Sequence, residues 1–189
     1  QNPRDLDALE VRGALALGKR DFTRAISDFR AVIADKPQQA KLYPLLANAH
    51  ATNGESELAV SVLREGVKAN PDSTLLHTEL ARFLQRSNDT EGAKEHFEAA
   101  FKLDSTQAQV LDSLVNIYLT QNNGGAIRKL TAPLETDNLL GRLARYYNAL
   151  SYTADKDYSK AIAAFDQLLV EKADFIEVIS ARVKTQVQM

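Results

Sequence analysis

The stretch "GALALGKR", Gly13 to Arg20, nearly spells the phosphate-binding pattern G-x-x-x-x-G-K-[ST]. A phosphate loop needs a strand before it, so that backbone N–H groups can cradle the anion, and a hydroxyl for magnesium. Here Arg20 takes the place of the hydroxyl residue, and the apolar residues around it recur at helical spacing. Nucleotide binding is therefore disfavoured. His50, His77 and His96 are the natural metal or acid–base candidates. They show no H-E-x-x-H or comparable ligand spacing, which favours packed, hydrogen-bonded imidazoles over ligands. Ser, His and Asp could be assembled into a triad on paper, but no nucleophile-elbow context holds them. The carboxylates read as solvated helix faces and caps, with no two paired across a cleft. No catalytic residue, cofactor or metal is expected, and the chain is read as a non-enzyme.

Whatever the chain does must then come from the elements that present its side chains. The 189 residues suffice for one ordinary domain or one elongated array. Hydrophobic residues make up 44% and charged residues 25%, and the net charge is −2 with both signs interspersed. That balance argues against a polybasic surface for nucleic acid or membrane. No apolar run reaches the roughly 18 residues of a spanning helix, so no direct membrane insertion is expected of this segment. Cysteine is absent, which excludes disulfides and thiolate chemistry and fits any compartment. With 8 glycines and 5 prolines the chain should be mostly regular structure joined by short turns.

Those elements repeat. "RDFTRAISDF" (Arg20 to Phe29) returns as "KDYSKAIAAF" (Lys156 to Phe165), 136 residues or four periods of 34 later. Pro3, Pro37 and Pro71 follow the same period. An alanine column runs Ala25, Ala59, Ala93, Ala126 (one residue early) and Ala161. Four residues on come Phe29, Leu63, Phe97, Leu130 and Phe165. A small-residue column runs Gly13, Ala47, Ala81, Val115 and Ala149, and a polar one Asp21, Glu55, Asp89, Asn123 and Asp157. Apolar residues three and four apart make each unit helical, two helices of about 14 residues joined by a tight turn. The small columns let paired backbones approach, the Phe or Leu fills the space beside that contact, and the polar column caps the second helix. Proline stops the second helix.

Small, aromatic and proline positions at a period of 34 resemble the tetratricopeptide repeat (TPR) family. The resemblance implies an all-α, right-handed TPR superhelix, an α-solenoid of antiparallel helix pairs with about 11 helices. Repeats are placed at about 6–39, 40–73, 74–107, 108–141 and 142–175, followed by an extra helix at about 175–187 that is either a solvating cap or the first half of a sixth repeat. Asn2-Pro3 matches Asn70-Pro71 in register and reads as the tail of a preceding repeat, so the chain is taken as a segment of a longer TPR protein. Some positions depart from the family pattern. The large residue four places into the first helix is Leu9, Tyr43, His77, Leu111 and Arg145, and Arg12 and Asn148 stand where Leu46, Leu80 and Leu114 keep leucine. The fourth repeat reads as one residue short at "QNNGGAIRKL". Pro133 should shorten or kink its second helix, Pro44 falls near the start of another, and residues 134–141 should be irregular.

The family implies a concave groove lined by the first helices, with ligand contacts from the second, fifth, ninth, twelfth and thirteenth places of each repeat. The ninth places are Ala14, Asn48, Arg82, Asn116 and Leu150, which puts a polar ladder in the central repeats. Lys41, Thr78, Gln85, Arg86, Asp112 and Tyr146 fall around it. Asn side chains bond both donors and acceptors of a peptide backbone, and Arg82 with Arg86, four apart, could grip a carboxylate. The competing reading is an ordinary solvated helix face. The carboxylate clamp of chaperone-binding members is not matched: Pro44 replaces its lysine, and Arg82-x-x-x-Arg86 copies its last element only in part. The leading expectation is a scaffold binding a protein or peptide in the groove. The Ala/Leu/Gln-rich style resembles bacterial TPR proteins, including exported lipoproteins of exosortase and exopolysaccharide systems and pilus-assembly or secretion proteins. The compartment stays open between exported or periplasmic and cytoplasmic. Two alternatives stand beside it: a regulatory or substrate-recruiting arm of a larger enzyme, and a module that self-associates through its open ends.

Overall fold

A computed structural model describes residues 5–189, and all regular structure among them is helical. Asn2-Pro3 lies outside the described residues. Six helices belong to a compact unit that ends at Ser105: α1 (Leu6–Gly18), α2 (Phe22–Asp35), α3 (Leu42–Thr52), α4 (Ser56–Ala69), α5 (Thr74–Arg86) and α6 (Thr90–Leu103). A second unit starts at Thr106 and holds α7 (Ala108–Thr120), α8 (Gly124–Thr131), a 3₁₀ turn (Ala132–Leu134), α9 (Gly141–Ala154), α10 (Tyr158–Glu171) and α11 (Ile176–Gln188). Within each unit, odd-numbered helices pair with the even-numbered helix that follows, and successive pairs stack; α11 packs on α10. The architecture is all-α and of the solenoid type.

The period of 34 is set at the turn inside each pair. Arg20, Gly54, Asn88, Asn122 and Lys156 all take positive φ, from 51° to 86°. The residue after each donates its N–H five residues back, as Asp21 does to the Ala16 carbonyl (2.9 Å) and Asp157 to that of Tyr152 (2.8 Å). The positive-φ residue itself donates three back, as Asn88 does to Gln85 (3.1 Å). This is the Schellman ending, which satisfies carbonyls left open at a helix C-terminus. Its last residue doubles as the cap of the next helix. Asp21, Asp89, Asn123 and Asp157 each accept from the backbone N–H three residues on, at 3.2, 3.0, 3.0 and 3.3 Å. Glu55, expected to do the same, does not cap. Its longer side chain reaches instead to His50 Nδ1 (2.6 Å) and Asn53 Nδ2 (2.9 Å).

Cores follow the columns. In the first unit Ala25, Phe29, Ala47, Ala59, Leu63, Ala81 and Ala93 are wholly buried, and Phe97 is nearly so. Gly66 of α4 lies against the Tyr43 ring so closely that an added Cβ would sit 2.7 Å from Cγ. Tyr43 in turn donates its hydroxyl to the Pro37 carbonyl (2.9 Å). One period on, His77 Nε2 meets the Pro71 carbonyl in the same way (3.0 Å). In α3 and α5 the place of the large residue thus also ties the helix to the segment before it. Pro44 is the third residue of α3, where its missing N–H has no helical partner to lose.

The second unit corrects one reading. The fourth repeat is not a residue short, because its turn at Asn122 keeps the period. The places of the alanine and aromatic columns are held by Ile127 and Thr131, both fully buried, while Ala126 and Leu130 are half-buried beside them. An isoleucine where the other pairs have alanine leaves less room for close helix approach, and α8 is held chiefly against α9. Gly124 makes that possible: a Cβ there would lie 2.2 Å from the Ser151 carbonyl oxygen. Arg128 adds an ion pair to Asp155 (2.7 Å) and a bond to Ser151 Oγ (3.1 Å). As expected, Pro133 ends α8 early and sits in the 3₁₀ turn. Residues 135–140 then run irregularly, organised by Asp137, whose Oδ1 accepts from the N–H groups of Leu139 and Leu140, both at 2.7 Å. Those bonds hold its carboxyl below the usual range.

Candidate functional site

The nucleotide-like stretch folds as the end of α1 and its Schellman turn. Gly13 is a packing residue, since a Cβ there would lie 2.9 Å from the Phe29 ring. The histidines are all engaged. Arg30 donates to His50 Nε2 (3.2 Å), which leaves Nδ1–H to donate to Glu55, and that bond is the main cause of Glu55's lowered pKa. His77 and His96 face each other through Nδ1 atoms 3.1 Å apart. A carbonyl only accepts, so His77 gives its Nε2 proton to Pro71 and its Nδ1 lone pair receives the His96 proton. Burial first, and the neighbouring His77 second, lower the His96 pKa. Among the described residues no three His, Cys, Asp or Glu side chains are grouped to hold a metal.

In the first unit the sequence-predicted residues lie on α3 and α5. Asn48, Arg82, Gln85 and Arg86 are exposed, and Thr78 is buried. Asn48 Oδ1 accepts from Thr52 Oγ1 (3.3 Å). Arg82 is paired with Glu79 at 3.0 Å, and the Arg86 guanidinium lies 4.0 Å from the centre of the Phe83 ring. The two arginines therefore have different partners and do not form a ready-made carboxylate grip. Thr78 Oγ1 is buried with no hydrogen-bond partner among the described residues. Lys41, exposed, immediately precedes α3.

In the second unit Asp112 and Asn116 share one exposed face of α7, joined at 3.3 Å. Asp112 also accepts from the hydroxyl of buried Tyr147 at 2.7 Å. Burial and that bond push the tyrosine's ionisation far above its ordinary value. Tyr146, beside it, is half-buried in an aromatic cluster, with ring centres 5.6, 6.3 and 6.1 Å from Tyr147, Phe165 and Phe175. Its outer side opens on a cavity of about 490 Å³ between α9 and α11. Leu150 and Thr153 of α9 line it with Ile176, Glu177, Ser180, Ala181, Lys184, Thr185 and Gln188 of α11. The sequence reading names Tyr146 and the ninth-place Leu150 but none of the α11 residues of this lining. The signal was available: one more period from Leu150 reaches Lys184, and one more from Tyr146 reaches Ser180.

Models of the tetratricopeptide repeat match residues 11–74 and 76–107. No curated protein matches the chain. Among solved structures, the MamA protein is similar with TM-score 0.68 and 16% identity, over 91% of this chain and 94% of that one. YrrB, described as a TPR protein with an unusual peptide-binding site, is similar with TM-score 0.69 and 14% identity, over 96% and 93%. A tetratricopeptide repeat protein from Parabacteroides merdae gives TM-score 0.71 and 14% identity, over 95% and 72%. At these identities the likeness is one of fold.

Proposed function

Because the chain belongs to the tetratricopeptide repeat family, a fold of protein interaction, we propose that it is a non-enzymatic scaffold that binds extended protein segments on its first-helix faces. One observation carries the reading. At the fifth and ninth places of the first helices Asn48, Arg82, Asp112 and Asn116 present exposed polar side chains and Tyr146 a half-buried aromatic one, and Tyr146 and Leu150 line an open cavity. Asn48, Arg82, Gln85 and Arg86, over buried Thr78, form the binding face of the first unit, and Asp112, Asn116 and Tyr146 that of the second. The peptide-binding site ascribed to YrrB supports the same use of a similarly folded chain. The compositional style supports a partner from a bacterial assembly, secretion or exopolysaccharide system. Capture of partners from an extract by the wild-type chain and by Arg82→Glu/Asn116→Ala tests the reading. A partner should be lost in the double variant while its circular dichroism stays unchanged; equal capture by both overturns it.

A second reading rests on α11. Ile179, Val183 and Val187 are 40%, 51% and 84% exposed. In the earlier first helices the places of Ile179 and Val183 are packed, by Tyr43 and Leu111 and by Ala47, Ala81, Val115 and Ala149. This stripe favours self-association. Sedimentation should then give a mass that rises with concentration and falls back to the monomer in Val183→Glu; a constant monomer mass overturns it.

A further inference from the structure

We propose that the cavity between α9 and α11 receives an extended segment that alternates a basic, an apolar and an acidic side chain. The apolar one sits on Tyr146, the basic one by Glu177 and the acidic one by Lys184. This rests on the reading of the chain as a peptide-binding scaffold and names what one part of it selects.

Glu177 and Lys184 are seven residues apart on α11, hence on one face and about 10 Å apart along the axis. Among the described residues neither makes an ion pair, in contrast to nearby Arg182, which is held by Asp166 at 2.5 Å. The α11 wall thus carries one negative and one positive group, two turns apart along the cavity, without an ion-pair partner among the described residues. Between them the floor is apolar. Tyr146 shows one side of its ring, and its packing against Phe165 and Phe175 fixes the ring in place. Leu150 and Ala181 flank it. The base makes no polar demand: Thr185 donates to the Ala181 carbonyl (2.9 Å), so Thr153 donates to Thr185 (3.0 Å) and both hydroxyl protons are used. Side chains on one side of an extended strand recur every second residue, so three of them span about 13 Å, within reach of both charges. A volume of about 490 Å³ admits one large apolar side chain with backbone beside it. Opposite charges along this wall reject a segment carrying two like charges.

Four blocked pentapeptides test this by amide chemical-shift titration of the whole chain: Lys-Ala-Leu-Ala-Glu, its reverse, Lys-Ala-Leu-Ala-Lys and Glu-Ala-Leu-Ala-Glu. A mixed-charge peptide should bind about tenfold more tightly than either like-charged one, and shift the amides of Tyr146, Leu150 and Ser180. In Lys184→Glu the preference should move to the peptide with two lysines, whichever way the strand runs. Binding at those amides without charge preference, or a preference that Lys184→Glu leaves unchanged, overturns the inference and leaves the scaffold reading standing. No peptide binding, while Arg82→Glu/Asn116→Ala still abolishes partner capture, also overturns it alone. No peptide binding together with equal partner capture overturns both readings.

Discussion

The facing imidazoles of His77 and His96 show how a single residue gives the fold a pH dependence of defined sign. Unfolded, His96 takes up a proton near the ordinary value of about 6.5. Folded, burial and His77 hold its pKa lower, with Arg64 acting the same way and Glu95 and Asp89 opposing. Just below pH 6.5 the unfolded chain therefore binds more protons, and stability falls as the pH drops through that window. Urea midpoints should be lower at pH 5.5 than at pH 7.5, and His96→Leu should flatten the difference. A slope that survives this change would locate the proton elsewhere. The cap residues act locally and independently of one another. Asp89→Ala removes the acceptor of the Gly92 N–H and should cost about 1 kcal/mol in the same measurement.

Among the elements, the helix pairs set how closely two backbones run, and glycine shows where that distance matters. Gly66→Ala would push a methyl group into the Tyr43 ring and should cost about 1–3 kcal/mol. Gly18, also helical, has none of the described residues within 4 Å of the position of a Cβ, so Gly18→Ala should be neutral or stabilising by up to about 1 kcal/mol. Equal urea midpoints for the two variants would contradict this account. The helix pairs were legible in the sequence because buried alanines and phenylalanines must recur wherever the same contact recurs. The fourth pair was misread because alanine was followed as the marker, and Ala126 happens to stand beside Ile127. The turn is the more reliable marker, since its geometry depends on backbone bonds: Asn122 keeps its place while the side chains around it change. The residues of the proposed binding face could be placed on their helices from the period. Their partners could not, because Glu79 on Arg82 and Tyr147 on Asp112 depend on rotamers and on which side chains the fold brings near. Arg145 is the plainest case. At a packing place it looks like a defect, yet it donates to the Glu135 carbonyl and to Glu171, both at 2.8 Å, and so fastens the irregular stretch after α8.

For the molecule as a whole, the stacking of neighbours on neighbours means that stability accumulates locally. Phe97→Ala empties a fully buried site on α6 and should cost about 3–5 kcal/mol. Hydrogen exchange should register the loss mainly in α5 and α6 and least in α1 of the same unit. Loss of protection by equal amounts across that unit would point to a single cooperative core instead. The cavity beside Tyr146 has an optical consequence. The chain contains no tryptophan. An indole placed at Ile176, 74% exposed on the cavity rim, would be the sole long-wavelength emitter in the molecule. Its emission would be red-shifted in water and move to the blue once a bound segment covered it, so that site occupancy becomes a colour that an unlabelled ligand can change.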